Sequence, residues 1–555
     1  MSSLRNRGLA VARQAINQSA SARSSSLSQR PLLVVGARES SRYYNSAATT
    51  AATIEIPSQI PMPMPIKPSA GQPTPFTNHH FASNDLAPKI LSEEYEERRR
   101  RLVESIKADD AILIVCGHGL RYMTNGIFYP FHQTTDLLYL TGMSEPDVVL
   151  MLEKNVSIPR GYKMTLFCKP RDAHSDRWDG PRTGLDGAKE VFRADQAKSI
   201  SILPTILQEL YNGSRPIYTD LDMSTLDTGS STLAGTSIQT STSQHAAASK
   251  DNTPSIGALS SFFGRRQRAS KTSSTNKSKV FKLKPFLREL RLIKSDAEIA
   301  LMRTAGRITG RAFQSAMSRT RIGLFESWLH ARIEYDVKRQ GAWGLSYVPV
   351  VASGLNALAI HYVKNEQVMN DGSLVLVDAG CEYGFYTSDV TRTFPVNGKF
   401  NSSQKALYNA VLKVQKECIE KCTEAARVSL DDIHGIAMNL LKTELEALFG
   451  RGVTMEETRS LLAHHIGHYL GMDVHDTDDV PRHRRLVKGM VVTIEPGLYI
   501  PNDPNRYPPS MCGTGIRIED DIAVGERDYI VLSAEAPKEV VDIEAIMAGI
   551  IKPHL

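Results

Sequence analysis

Four carboxylates and one histidine occur at or near the ends of short apolar segments in the second half of the chain. They are Asp378, Asp389, His468, Glu495 and Glu519. A carboxylate buried at the end of a strand is costly unless it is paired or bound to a cation. Four carboxylates and one neutral imidazole together supply the negative charge that matches two divalent cations. Two such cations support hydrolysis, because they can activate a water molecule and polarise a carbonyl group.

The types of donor atom limit the choice of metal. Oxygen ligands with a single nitrogen favour manganese, cobalt or zinc over copper, and the absence of a thiolate argues against iron–sulfur chemistry. Any one of these carboxylates taken alone is more often a turn residue or a helix cap. The spacing therefore leaves both interpretations open until the whole set is considered.

Apolar runs predict the elements that would carry these residues. Leu374–Val377, Val491–Ile494 and Ile516–Ile518 have the length and composition of buried strands. A capping-box pattern, Ser295–Glu298, predicts the start of a helix, and the pattern from about Ser402 to Ala425 predicts a long one. The alternation predicts an α/β (α+β) layout, in which a mixed sheet is covered by helices.

A separate α/β unit is predicted upstream. Residues 93–103 have helical character, with Arg98–Arg101 as a basic face, and Ala111–Val115 and Val148–Leu152 are apolar runs typical of strands. Residues 224–278 contain 23 Ser or Thr in 55 positions, with almost no periodic apolar pattern. We therefore expect an N-terminal α/β domain at 87–222 and a Ser/Thr-rich insertion at 223–280.

Composition excludes several classes of protein. The chain has 555 residues, of which 41% are hydrophobic and 23% charged, close to the average for soluble globular proteins. No run of about 18 apolar residues occurs, so no membrane-spanning helix is expected. The six cysteines form no C-x-x-C pair, which is typical of a reducing compartment.

The net charge of +6 belongs to the N-terminus. The first 50 residues hold seven arginines, no lysine and one acid, so the rest of the chain is neutral and gives no nucleic-acid signal. An Arg-rich, acid-poor start predicts a mitochondrial presequence, here residues 1–44, although a disordered basic tail remains an alternative. Arg42, Tyr43 and Tyr44 are similar to a processing site, at which cleavage would leave Tyr44 as the new first residue. The Ala/Thr/Pro-rich residues 45–86 are expected to form a disordered linker.

Several motifs resemble those of one known family. From about Leu287 to Pro537 the chain resembles the pita-bread metallopeptidases, most closely aminopeptidase P. The matching stretches are Val377–Gly380, Ser388–Lys399, His464–Asp476, Ile494–Tyr499 and Gly515–Asp521. Residues 87–222 are similar to the N-terminal domain of that family. The resemblance implies an aminopeptidase-P-type α/β domain followed by a pita-bread catalytic domain at 281–545.

The resemblance also implies how the five metal-ligand positions divide. By analogy with the family, Asp378 holds one metal, His468 and Glu495 hold the other, and Asp389 and Glu519 bridge the two. Two divalent ions are expected, with manganese first and cobalt or zinc as alternatives. All five positions are intact, which argues against an inactive binding module of the same fold and against metal-free creatinase.

Further roles follow from the same family positions. His361 and His475 are expected to stabilise the tetrahedral intermediate, and Glu495 to shuttle a proton. His464, Tyr499 and Arg517 correspond to substrate-binding residues, whereas His465 has no family role and is interpreted as structural. Trp178 is similar to an aromatic residue that a neighbouring subunit contributes, so a homodimer is expected.

The implied activity is removal of one N-terminal residue from peptides or imported proteins. The Arg-rich start indicates the mitochondrial branch, the intermediate cleaving peptidases, acting in the matrix or on the matrix face of the inner membrane. A prolidase, which cleaves only Xaa-Pro dipeptides, is the alternative within the family. Methionine aminopeptidase is disfavoured by the chain length and by the first-domain match.

Overall fold

The computed structural model describes residues 71–73, 85–223 and 278–553. The predicted presequence and most of the predicted linker and insertion lie outside the described residues. Two parts of the predicted linker, residues 45–86, are ordered. The amide of Gly71 donates to Glu145 Oε1 at 3.0 Å, and the first strand begins at Asp85. In the described part of the chain, no helix is both long and apolar enough to cross a membrane.

The N-terminal domain is built on a six-stranded mixed sheet. The domain has ten strands in all, of which β1-β2 and β4-β5 form separate pairs. They are β1 Asp85–Ala87, β2 Ile90–Leu91, β3 Ile112–Cys116, β4 Tyr122–Thr124, β5 Ile127–Phe128, β6 Val149–Lys154, β7 Tyr162–Cys168, β8 Gln196–Ser199, β9 Ile217–Thr219 and β10 Val280–Phe281. Its helices are α1 Ser92–Ser105, α2 Thr135–Thr141, α3 Ala173–Asp179, α4 Gly184–Glu190 and α5 Leu203–Tyr211, with a 3-10 turn at Ile200–Ile202. The sheet order is β10-β9-β3-β6-β7-β8, and β6 runs antiparallel to both of its neighbours. The sheet confirms the predicted α/β character.

The second domain combines long helices with small antiparallel sheets. The helices are α6 Lys284–Leu292, α7 Asp296–Arg319, α8 Glu326–Arg339, α9 Ser402–Ile419, α10 Leu430–Phe449, α11 Met455–Leu461 and α12 Val540–Met547, with 3-10 turns at Gly354–Leu358 and Glu424–Ala426. The strands are β11 Gly344–Leu345, β12 Val350–Ser353, β13 Leu374–Ala379, β14 Cys381–Tyr383, β15 Tyr386–Thr387, β16 Val390–Pro395, β17 Val491–Ile494, β18 Gly497–Ile500, β19 Thr514–Arg517, β20 Asp520–Val524 and β21 Tyr529–Val531. Six of the ten predicted site residues lie in a strand of the sheets β12-β13-β16, β17-β20-β21 and β18-β19 or directly next to one; they are Asp378, Asp389, Glu495, Tyr499, Arg517 and Glu519.

Two sequence predictions differ from the observed elements. The helix predicted from Ser402 to Ala425 ends at Ile419, because the next residues pair with the turn at Gly525, to which the Glu424 amide donates at 3.0 Å. The predicted basic face is also wrong for its first two residues, since Arg98 and Arg99 are 3% and 2% exposed. Arg98 joins the two domains, donating to the carbonyl of Tyr139 and to the hydroxyl of Tyr386.

Helix α7 shows why small residues recur in its sequence. The predicted capping box is present, with the Ser295 hydroxyl accepting from the Glu298 amide and the Glu298 carboxylate accepting from the Ser295 amide. At Gly306, a Cβ atom would lie 2.2 Å from the carbonyl oxygen of Leu532. At Gly310, it would lie 2.6 Å from the amide nitrogen of Ala536. The two glycines therefore let the segment after β21 lie directly on the helix.

We predict that Gly306→Ala destabilises the protein by about 1–3 kcal/mol, because the added methyl group meets rigid backbone. A matched control is Gly435→Ala on α10, where a Cβ atom would meet nothing in the described chain beyond its own helix within 4 Å. That exchange is expected to stabilise the helix by about 0.5–1 kcal/mol. Chemical denaturation measures both changes. A Gly306→Ala variant as stable as the control would contradict this packing.

Candidate active site

Two aspartates face each other across one tyrosine hydroxyl. Asp378 lies inside β13, not after it as expected, and Asp389 lies between β15 and β16. The hydroxyl of Tyr347 is 2.6 Å from Asp378 Oδ1 and 2.5 Å from Asp389 Oδ1. It has one proton to donate, so it can bond to only one carboxylate at a time. Burial, together with these two carboxylates, raises the pKa of Tyr347 well above its usual value.

His468 presents a lone pair to two carboxylates. Its Nδ1 lies 3.1 Å from the carbonyl oxygen of Tyr469 and must donate to it, which leaves Nε2 as the acceptor nitrogen of the neutral ring. Nε2 is 3.4 Å from Asp389 Oδ2 and 3.8 Å from Glu495 Oε1. Three acceptors can meet in this way only if a proton or a metal cation lies between them.

The proton alternative is visible in the pKa of His468. Burial alone would lower it, but the hydrogen bond with Asp389 and the charge of Glu495 raise it to about 9. In the absence of a metal, the imidazolium form is therefore the one that satisfies the two carboxylates. A divalent cation would satisfy them with the ring neutral.

Glu519 completes a three-residue group. Ligand atoms of Asp389, His468 and Glu519 all lie within 4.8 Å of one another. The hydroxyl of Thr391 donates to Glu519 Oε2 at 2.6 Å, and Thr391 pairs directly with Asp378 across β13 and β16. Sheet register thus brings together residues that are 141 positions apart, Asp378 and Glu519. A single cation could be held by the three-residue group.

Negative charge is in excess around this group. Five carboxylates interact with only two arginines: Arg517 acts on Asp378, Asp389, Glu495 and Glu519, and Arg392 acts on Asp521. Burial raises the pKa of four of them, reinforced by neighbouring carboxylates, with Glu495 reaching about 7; the exception is Asp389. Such shifts show that ionising all five without additional positive charge is unfavourable. The donor set therefore fits divalent cations bound by oxygen and one imidazole nitrogen.

Arg517, Tyr499 and His464 form a connected wall beside the carboxylates. Arg517 pairs with Asp378 and donates through Nη1 to the Tyr499 hydroxyl at 2.7 Å. The Tyr499 hydroxyl in turn lies 2.9 Å from His464 Nε2, while Nδ1 of His464 lies 2.9 Å from the His465 carbonyl oxygen. Burial and the charge of Arg517 lower the pKa of His464 to about 4. His464 is therefore a neutral ring that accepts from Tyr499.

His361 and His475 lie at the exposed side of the site. The ring of His475 meets the ring of His468 edge-on, with the centroids 4.5 Å apart. Burial lowers the pKa of His475, as do the charges of His468 and, to a smaller extent, His361. Both rings are exposed, whereas the carboxylates behind them are partly or fully buried. They could therefore contact a substrate that is bound at this site.

His465 points away from this group. Its Nε2 lies 3.2 Å from Asp431 Oδ1, and its ring stacks on that of His434 with centroids 4.6 Å apart. These contacts agree with the structural role expected from the sequence. Trp178 lies on α3 and is 76% exposed, and its contribution to a neighbouring subunit stays a prediction.

Two glycines allow the strands to come together at the site. A Cβ atom on Gly380 would lie 1.7 Å from the carbonyl oxygen of Ser388, and one on Gly467 would lie 1.9 Å from that of Thr493. The close approach at Gly467 lets Thr493 and His468 bond through their backbones at 2.9 Å, which fixes His468 beside β17.

Sequence reasoning missed two residues that touch the ligands. Tyr347 precedes β12 and has no spacing relation to the acidic motifs, so no sequence signal identified it. Asp521 follows Glu519 closely in the sequence, and its buried carboxylate accepts from the Asp389 amide at 3.1 Å and 3.2 Å. Tyr347 thus holds the side chain of Asp389, and Asp521 holds its backbone amide.

Both domains match known protein families. Metallopeptidase family M24 matches residues 300–526, and "Aminopeptidase P, N-terminal domain" matches residues 95–218. The chain is 36% identical to Xaa-Pro aminopeptidase 3 from Homo sapiens over 491 residues, covering 86% of this chain and 90% of that protein. It is 36% identical over 488 residues to "Intermediate cleaving peptidase 55, mitochondrial" from Arabidopsis thaliana, covering 86% and 87%.

Solved structures agree with the sequence matches. The crystal structure of Icp55 from Saccharomyces cerevisiae, lacking 58 N-terminal residues, superposes with a TM-score of 0.70 at 36% identity, covering 84% of this chain and all of that one. These matches confirm the family resemblance and the fold class predicted from the motifs. The chain therefore belongs to metallopeptidase family M24, in the aminopeptidase P group, and is a metalloaminopeptidase that requires a divalent metal.

Proposed function

We propose that the site binds two divalent cations and removes a single residue from the N-terminus of peptides. The main support is the environment of His468, whose acceptor nitrogen faces the carboxylates of Asp389 and Glu495 at 3.4 Å and 3.8 Å. In the proposed assignment, Asp378 belongs to one cation, His468 and Glu495 to the other, and Asp389 and Glu519 to both. Manganese suits this oxygen-rich set best, with cobalt and zinc as the alternatives.

When bound, two divalent ions supply Lewis-acid activation of the scissile carbonyl and of the attacking water. The Glu495 carboxylate is proposed to take a proton from that water and pass it to the leaving amine. Burial, with the charges of Asp389 and Asp378, raises the pKa of this carboxyl to about 7 in the metal-free site, and a bound cation would lower it again by favouring the ionised form. His361 and His475 are proposed to donate to the carbonyl oxygen as negative charge develops there.

The same residues account for cleavage at the terminus. A free α-amino group is proposed to lie beside the Asp378 carboxylate. A blocked terminus carries no positive charge, so it could not pair with Asp378 in the same way. His464, Tyr499 and Arg517 are proposed to line the pocket for the second residue. The neutral His464 ring and the Tyr499 ring offer flat apolar surface there, which suits a proline side chain.

A mitochondrial role is proposed from two observations. The first is the Arg-rich N-terminal segment, and the second is the similarity to an Arabidopsis thaliana peptidase described as mitochondrial. We propose that the enzyme acts in the matrix or on the matrix face of the inner membrane. It would there trim one residue from imported proteins after presequence removal. A homodimer also remains part of this proposal.

We predict that Asp389→Ala abolishes metal binding and activity together. Its loss removes the carboxylate that is proposed to lie between both cations, so the activity should fall by more than roughly 10²-fold, the effect that even outer-sphere metal partners can reach. Elemental analysis and peptide hydrolysis measure the two properties. Asp371→Ala, an exposed aspartate that bonds to Asn397, is the control and should leave both unchanged. Two retained metals with normal turnover in Asp389→Ala would refute the ligand assignment.

We predict that His361→Ala keeps the metals but lowers kcat much more than it raises KM. The ring is proposed to act on the transition state, and loss of such a donor costs roughly 3–4 kcal/mol, or about 10²–10³ in rate. The exposed His483 is the matched control, and His483→Ala should have normal kinetics. If His361→Ala loses its metals, His361 is a ligand and the assignment is wrong.

A series of peptides separates the aminopeptidase from a prolidase. We expect tripeptides and longer Xaa-Pro peptides to lose only their first residue, because the site selects a free terminus and leaves the downstream chain unconstrained. The same peptides with an acetylated N-terminus should not be cleaved. Replacing the proline by alanine tests whether proline is required. Cleavage confined to Xaa-Pro dipeptides would establish the prolidase alternative; mass spectrometry identifies the products.

A further inference from the structure

The loop that carries His475 is clamped by basic residues on and just after the helix that connects the N-terminal sheet to the catalytic domain. This acidic loop, residues 473–479, contains Asp473, Asp476, Asp478 and Asp479. The connecting helix is α6, and the three basic residues that clamp the loop are Arg288, Arg291 and Lys294. Lys284, at the start of α6, makes only long, exposed ion pairs with Asp478 and Asp479 and is not part of the clamp. These contacts differ in burial, and the Arg291 side chain lies at the buried centre of the group.

Arg291 is shared between the two domains. Its Nη1 donates to Asp136 Oδ1 at 2.6 Å and to the hydroxyl of Thr135 at 3.0 Å, both at the start of α2 in the N-terminal domain. Its Nη2 donates to Asp473 Oδ2 at 2.7 Å and to Asp476 Oδ1 at 2.6 Å. The Arg291 side chain is only 2% exposed. One guanidinium group thus contacts the first domain and, in the acidic loop, residues that lie before and after His475 in the sequence.

Asp476 connects Arg291 to the segment that carries His468. Its other oxygen accepts from Lys294 Nζ at 2.9 Å, and its side chain is 1% exposed. The carboxylate lies so close to Gly471 that a Cβ atom there would be 2.4 Å from Oδ2. The Asp476 amide donates to the carbonyl of Tyr469 at 3.0 Å. The loop is therefore folded back onto the segment that carries His468.

The ring of His475 depends on this backbone arrangement. Among the described residues, none forms a hydrogen bond with the His475 ring, which lies at the mouth of the site beside His468. Its position is consequently set by the clamped residues on either side, Asp473 and Asp476. A rigid loop matters here, because a transition-state donor must be held close to its productive geometry.

We propose that Arg291 is a positioning residue for His475, and that it makes catalysis depend on the N-terminal domain through Asp136. The inference rests on the role proposed above for His475. A lysine at position 291 would keep the charge but not the contacts, because a single ammonium cannot reach four acceptors that lie on two domains. Loss of the clamp is expected to let the acidic loop move while the metal ligands stay in place.

The test is a double-mutant cycle on the metal-loaded enzyme with Arg291→Lys, His475→Ala and the combined variant. Arg291→Lys should lower kcat roughly tenfold, within the loss that a displacement of about 1 Å can cause, with metal content and KM nearly unchanged. If Arg291 acts through His475, the combined variant should be no slower than His475→Ala alone. Lys284→Met is the matched control, since its ion pairs with Asp478 and Asp479 are longer and exposed, and it should have a normal kcat.

Several outcomes would overturn the proposal. Additive losses in the combined variant show that Arg291 acts independently of His475. A normal kcat in His475→Ala would show that His475 has no catalytic role, and the proposal would fall with it. The metal assignment would be unaffected, because it is tested separately at Asp389. Should Arg291→Lys fail to fold, Asp136→Asn replaces it in the same cycle, since it neutralises the carboxylate that Arg291 contacts in the N-terminal domain and leaves the contacts with Asp473 and Asp476 unchanged. Additivity for Asp136→Asn would equally refute positioning from that domain.

Discussion

Buried negative charge without matching positive charge is the constraint on which the catalytic domain depends. The carboxylates of Asp389 and Glu519 lie in one group with the imidazole of His468, and Asp378 lies beside Asp389 across the Tyr347 hydroxyl. Arg517 is the permanent cation that pairs with Asp378. Such an arrangement is unfavourable in an isolated chain, because like charges in a partly desolvated site repel each other. Folding tolerates it where cations bind, so stability, metal binding and catalysis are linked in this domain.

The surrounding structure serves to hold these acceptors at a fixed separation. Register between antiparallel strands places Asp378 opposite Thr391, and Thr391 in turn bonds to Glu519. Below the site, the buried pair of Arg392 and Asp520 ties β16 to β20 at 2.6 Å. Breaking a buried pair of this kind leaves an uncompensated charge, which costs more than the pair contributes when intact. Substitutions in the polar layer behind the proposed ligands are therefore expected to be as disruptive as substitutions of the ligands.

The signal for the proposed ligands is local in the sequence. A carboxylate at the end of an apolar strand, such as Glu495, can be identified from a few neighbouring residues, and so can the Ser295 cap of α7. Tyr347 and Arg98 could not be found in this way, because their roles arise from contacts with residues 31 to 288 positions away. The same limit explains the helix end at Ile419, which is set by pairing with the turn at Gly525. Long-range contacts override the local pattern in each case.

In the proposed mechanism, two divalent cations balance the excess negative charge of this site, and the reaction requires both of them. Native mass spectrometry of the purified chain counts the bound ions directly, and peptide hydrolysis can be followed on the same sample. We expect two ions per chain, loss of activity when a chelator removes them, and recovery when divalent metal is restored. A chain that hydrolyses peptides at full rate with no bound metal would contradict it.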